Sequence, residues 1–237
     1  IQAPQGVFTA ELRTQIGQYK EEILAYLQRE GRGATKLPPI VPNPKERYAP
    51  FPLTDIQHSY WIGQVVGLDL ENAYHFYQEI DSRQLDIGRL NRAWQRLLER
   101  HDTLRAVVLS TGQQQILAET PPYTIAVQDL TTQPAAVIEE QLQATREAMA
   151  HQVLSLSEWP LFDIRVTRID AEHSRIHVSM AMIMMDGGSL QRLMGEWNAL
   201  YYNPDLVLPA LDLSYRDYVV WNKALEATPH YQQAQSY

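Results

Sequence analysis
Arg175-Ile176-His177-Val178-Ser179-Met180 alternates polar and apolar residues, the period of a half-buried strand. Ala181-Met182-Ile183-Met184-Met185-Asp186-Gly187-Gly188-Ser189 follows without that alternation. Then Leu190, Leu193, Met194, Trp197, Leu200 and Tyr201 recur at helical spacing. Asp186, the two glycines and Ser189 therefore sit where a strand hands over to a helix. Such a junction offers free backbone N–H groups and the positive end of a helix dipole. A carboxylate and a hydroxyl placed there can do chemistry, or Asp186 or Ser189 can simply cap the helix.

The 237 residues suffice for one large domain, or a medium domain with a small appendage. The net charge of −8 argues against a nucleic-acid partner. The absence of cysteine excludes a disulfide framework, a thiolate nucleophile and a Cys-ligated zinc. No apolar run approaches the roughly 20 residues of a membrane helix, and no signal peptide opens the chain. The expectation is a cytoplasmic protein without membrane attachment. The chain opens at Ile1 rather than Met, as a piece of a longer protein does.

Upstream, Ala3-Pro4-Gln5-Gly6 reads as a turn and Thr9 as the cap of a helix with the stripe Leu12, Ile16, Tyr19 and Ile23. Residues 1–30 hold too little chain for a core of their own. Residues 31–47, with Pro38, Pro39, Pro42 and Pro44, form an extended linker. From residue 48 the pattern is mixed. Thr54 caps a short helix bearing Tyr60 and Trp61, aromatics that either line a pocket or pack a core. Tyr74 to Ile80 alternates as a strand, and Asp86 caps a helix with the stripe Leu90, Ala93, Trp94, Leu97 and Leu98. A hairpin turning at Gly112 joins strands at 106–109 and 114–117. A helix follows from Ala135 to Leu154, then strands at 162–169 and 175–180, and Ser214 caps a last helix. Arg100, His101, Asp102 and Arg105 gather at a helix end. Either they form a cationic last turn favoured by the dipole, or one arginine reaches inward to a buried carboxylate, for which Asp186 is the candidate.

Three separated stretches share a resemblance. Phe51-Pro52-Leu53-Thr54-x-x-Gln57-x-Ser59-Tyr60-x-x-Gly63 resembles the first signature of the heterocyclization domains of nonribosomal peptide synthetases. Arg100-His101-x-x-Leu104-Arg105 with Gly112-x-Gln114 resembles the second, and Ala181 to Ser189 the third, an Asp-x-x-x-x-Asp-x-x-Ser motif. Ile1 to Glu30, through Ala3-Pro4-x-Gly6, Thr9-x-Glu11-Leu12 and Lys20-x-x-Ile23-Leu24, resembles the second half of a small N-terminal docking domain of the TubC type.

The resemblance implies an α+β lobe similar to chloramphenicol acetyltransferase, a mixed sheet flanked by helices, preceded by a short docking helix segment. It divides the chain into residues 1–30, a linker at 31–47, and an N-terminal lobe at 48–237. The implied reaction condenses a carrier-bound acyl or aminoacyl thioester with carrier-bound cysteine, serine or threonine, then cyclizes and expels water to give a thiazoline or oxazoline. No cofactor binds directly; the substrates ride on phosphopantetheine. The implied partners are upstream and downstream peptidyl carrier proteins, the C-terminus of an upstream subunit at the docking segment, and the missing C-terminal lobe.

Carried over residue by residue, Asp186 and Ser189 are the expected catalytic pair. Ala181 stands where the motif has its first aspartate. Arg100, His101, Arg105, Gln57 and Tyr60 are the expected structural or tunnel residues. A methyl at 181 cannot ionise or pair an arginine, so either ring closure is impaired or an arginine is left orphaned. Asp186, beside a helix N-terminus, stays ionised and is a poor acid. The competing class is a non-catalytic condensation-fold module that docks carrier proteins. A histidine-dependent acyltransferase is disfavoured, because Ala181 and Met182 occupy the place of the paired histidines. Ser189 lacks the glycine-flanked elbow of a hydrolase, and His173 with His177 does not set up a metal site.

Overall fold
Strand β7, His173–Ala181, lies inside a four-stranded sheet, bonded on one side to β2 (His75–Arg83) and on the other to β6 (Phe162–Arg168). Both pairings are antiparallel, with Ile176 opposite Ile80 and Val166. The short strand β5, Ala126–Asp129, adds to β6 in parallel and ends the sheet. This is a computed structural model, and it describes residues 15–33, 37–65, 75–228 and 231. The turn expected at residues 3–6 and the Thr9 cap lie outside them.

The chain divides into two units, residues 40–227 and residues 1–39 with 228–237. In the smaller unit, helix α1 spans Lys20–Gly33; Ile23 on it, and Ile16 and Tyr19 just before it, all of the expected stripe, are exposed. In the larger unit, β1 (Phe51–Pro52) precedes α2 (Asp55–Val65), and α3 (Ile87–Arg100) follows β2. Strands β3 (Ala106–Val108) and β4 (Gln113–Ile116) form the expected hairpin, and β1 joins it as a three-stranded sheet in the order β1-β4-β3. Helix α4 (Ala135–Ala150), α5 (Gly187–Tyr202) and α6 (Tyr215–Leu225) complete the fold. Among the described residues, no helix is long and apolar enough to cross a membrane.

One face of the larger sheet is apolar. Ile176, Val178 and Met180 of β7 join Leu90, Trp94 and Leu97 of α3 and Leu193, Trp197 and Leu200 of α5 in a single core. Trp94 is its centre, with Trp197 and Phe162 at ring distances of 4.9 and 5.1 Å. The other face is polar yet also covered. His177 and Ser179 are fully buried. Tyr77 Oη and Thr167 Oγ1 flank the two nitrogens of His177, and Arg146 of α4 forks onto Glu79 of β2. The alternation at 175–180 thus marks a strand buried on both faces rather than a half-buried one. Its polar residues are tolerated because each finds a partner under α4.

Residues 43–47, within the proline-rich stretch read as linker, are tied to the larger unit. Asn43 N donates to Asp217, Arg216 pairs Glu46, and Arg47 forks onto Asp102 with contacts of 2.7 and 2.9 Å. Asp102, just after α3, and Arg216 and Asp217 of α6 supply the partners that an extended linker would lack.

Candidate functional site at the end of the central strand
β7 runs out at Ala181, whose N–H donates to Leu161 O and whose methyl is buried. A single 3-10 turn, Met182–Met184, carries the chain outward, and Met185 returns it to extended backbone. Asp186 then caps α5 by accepting from the Ser189 N–H at 2.7 Å. That backbone bond, followed by the Ser189 hydroxyl, holds the Asp186 carboxyl below its ordinary value, so it is ionised at neutral pH. Asp186 and Ser189 are both exposed. A cavity of about 600 Å³ opens between β2 and α5, with Ile80, Gly187, Leu190, Met194 and Trp197 among its walls; Gly187 and Leu190 line it, while Asp186 and Ser189 do not.

The turn is gripped from inside. Gln57, on the first turn of α2, donates through Nε2 to the Ile183 carbonyl at 2.8 Å and to Gln114 Oε1 at 3.1 Å. Gln114, on β4, donates back to Gln57 Oε1 at 2.8 Å and to Pro52 O at 2.9 Å. Thr54 caps α2, its hydroxyl accepting from Gln57 N while its own N–H donates to Gln57 Oε1 at 3.0 Å, a reciprocal capping box. Phe51 to Gln57, Gly112 to Gln114 and Ala181 to Ser189 therefore meet at one pair of side-chain amides.

Tyr215, on α6, packs edge-on to Phe51. Burial foremost, then the neighbouring Tyr218 and the negative charge of Asp186, push its phenol up to about 12, against a hydrogen bond from Thr54. A protonated hydroxyl thus stands within the electrostatic reach of Asp186. Tyr60 packs half-buried against the core with Trp61.

The remaining candidates form a separate cluster. Arg100 Nε and His101 Nε2 both meet Glu196 Oε2, at 3.0 and 2.7 Å. These contacts hold the Glu196 carboxyl below its usual range despite the burial that raises it. Arg100 also donates to Pro209 O. Arg105 meets buried Asp102 at 2.8 Å and the carbonyls of Leu117 and Ala118. Asp186 is therefore not the partner of either arginine. It sits on an exposed helix start, while Glu196 of the packed helix α5 and Asp102 of the next turn meet the two arginines. Both arginines of this cluster keep a carboxylate partner, although the Arg105 Nε is buried without a hydrogen bond. Glu196, Gln114 and Tyr215 contact the candidate residues or their motifs and were left out of the candidate set. Gln114 stands inside a quoted motif and Tyr215 directly follows the Ser214 cap, which are the signals that could have found them.

A condensation-domain model matches residues 49–237, and a TubC N-terminal docking domain model matches residues 1–29. The chain belongs to the condensation-domain family. Within that family it matches heterocyclization domains of nonribosomal peptide synthetases in sequence and fold. It is 35% identical over 190 residues to phenyloxazoline synthase MbtB of Mycolicibacterium paratuberculosis, covering 79% of this chain and 16% of that protein. It is 30% identical over 232 residues to pyochelin synthetase PchF of Pseudomonas aeruginosa, covering 97% of this chain and 12% of that protein. The crystal structure of the EpoB cyclization-docking bidomain of Sorangium cellulosum superposes with a TM-score of 0.82 at 34% identity, covering 100% of this chain and 46% of the other. The condensation-family chain thus spans a small part of those synthetases and about half of the bidomain.

Proposed function
We propose that the chain is the N-terminal lobe of a heterocyclization domain that works on thioesters carried by phosphopantetheine arms in the cytoplasm. An amine on one carrier attacks the thioester carbonyl of the other and expels the thiol, forming an amide. The thiol or hydroxyl of the cysteine, serine or threonine side chain then adds to the amide carbon, and loss of one water closes a thiazoline or oxazoline. Upstream and downstream carrier proteins deliver the two substrates. The docking segment at 1–30 receives the C-terminus of an upstream subunit, which fits the exposed stripe Ile16, Tyr19 and Ile23. A second lobe, corresponding to the part of the bidomain that this chain does not span, closes the tunnel.

The observation that carries this reading is the whole-chain match to a cyclization-docking bidomain. The geometry fits it: an exposed carboxylate and hydroxyl at a helix start whose Gly187 and Leu190 line an open cavity, with a turn behind them held by Gln57. The first step is mainly one of orientation. Loss of water needs a proton delivered to the departing oxygen. Ionised Asp186 does not supply it; with its carboxyl held below the ordinary value, it is suited to stabilising developing positive charge.

Ala181 favours a second reading, a condensation-fold module that docks carriers without chemistry, because a buried methyl occupies the motif's first acidic position. The test is the complete synthetase subunit carrying this chain, with loaded carrier proteins and products followed by intact mass. Ala181→Asp is expected to raise the yield of the dehydrated, ring-bearing product. No amide and no ring from either protein would establish the docking module instead.

A further inference from the structure
The amide pair Gln57–Gln114 satisfies all its own donors. Each Nε2 has two hydrogens, and the four go to Ile183 O, Gln114 Oε1, Gln57 Oε1 and Pro52 O. Flipping either amide would set oxygen against oxygen, so the network fixes both orientations. Gln57 is 6% exposed and Gln114 2%. Burial this deep shields a donor that loses its partner from bulk solvent, and an acceptor left unpaired costs more than the bond is worth when made.

The Ile183 carbonyl belongs to a three-residue 3-10 turn, too short to satisfy its own carbonyls. Ile183 and Met184 are buried, while Met182 on the same turn is exposed. The turn is thus held on its inner side, and the Gln57 amide is the polar part of that hold. Two residues beyond the turn stands Asp186.

The geometry points to Gln57 as a positioning residue for ring closure. With Gln114 it fixes the 181–186 segment, so that Asp186 and Ser189 face the tetrahedral adduct when water leaves. This rests on the heterocyclization reading. Gln57 touches no substrate. Amide formation, which depends chiefly on presenting two carrier arms, needs it less than dehydration does.

The test measures the ratio of ring to open amide on the acceptor carrier, a ratio that does not depend on how much enzyme is folded. It uses the complete subunit, in the native protein or, where that forms only amide, in the Ala181→Asp background. Gln57→Leu is expected to lower the ratio about tenfold, as a displaced catalytic group does, with amide formation per folded protein little changed. Gln57→Glu adds a second readout. Burial and two facing carbonyl oxygens raise the pKa of the new carboxyl. Its protonated form can donate to Ile183 O, so the ratio is expected to recover on acidification in Gln57→Glu and not in Gln57→Leu. A ratio that stays unchanged in both variants overturns the inference while leaving the family reading intact. A subunit that forms no ring in either background overturns the heterocyclization reading, and the inference falls with it.

Discussion

At Asp186 one carboxylate oxygen already accepts the Ser189 N–H, which limits what a substitution there can mean. Asp186→Ala removes the cap and is expected to cost about 1 kcal/mol of unfolding free energy. Asp186→Asn keeps a competent cap and is expected to stay within a few tenths of wild type; urea denaturation of the two variants checks both. A loss of ring formation in Asp186→Asn would then belong to the charge and not to the helix. The sign of the pH effect agrees. The carboxyl is held below its unfolded value, so its contribution is complete above about pH 4 and is lost as the pH falls through the folded value. At this scale the caps at Thr54, Asp86, Asp186 and Ser214 were legible, because a cap speaks to an amide two or three residues away. The partners of Arg100 and Arg105 were not legible in the same way. Glu196 is 96 residues from Arg100, and several carboxylates competed for each guanidinium.

Among the elements, the β3–β4 hairpin explains why its motif carries a glycine. Gly112 sits at φ +75°, and a β-carbon there would lie 3.1 Å from the ring of Trp61. Both conditions exclude a side chain. Gly112→Ala is expected to destabilise the protein by about 2 kcal/mol, the cost of a left-handed backbone with some added crowding. Because Gln114 follows two residues later and Trp61 lies on α2 beside Gln57, the substitution is also expected to shift tryptophan fluorescence. Denaturation followed by that emission reads both effects. An unchanged midpoint and spectrum would show that the hairpin and α2 are not packed this way. The hairpin and the helices were readable from turn residues and period. Strand β5 was not, because all four of its residues are exposed and so carry no alternation. It exists through a parallel pairing with β6 that lies 39 residues away, as Asp129 opposite Arg168 shows. Likewise β1 is two residues long and is defined only by its partner β4.

Over the whole larger unit, the central sheet is covered twice, once by α3 and α5 with an apolar core and once by α4 over polar side chains. The second cover has a consequence for pH. Burial lowers the pKa of His177, and the nearby Glu79, which favours the charged ring, does not offset it against Arg175, Arg146 and Arg165. Arg146 foremost holds Glu79 itself down at about 2, so this carboxylate stays ionised through the range in question. Folded protein therefore keeps His177 neutral where the unfolded chain, with an ordinary histidine pKa of about 6.5, takes up a proton. Unfolding binds protons below that value, so stability is full above about pH 6.5 and declines as the pH falls from there toward the lowered value of the folded ring. His177→Gln can still bond to Tyr77 Oη or Thr167 Oγ1 but cannot titrate, and it is expected to flatten that part of the urea-denaturation profile while leaving the high-pH stability near wild type. If the slope persists in the variant, the proton uptake does not belong to His177, and the polar face under α4 is not the sealed layer that the fully buried ring of His177 requires.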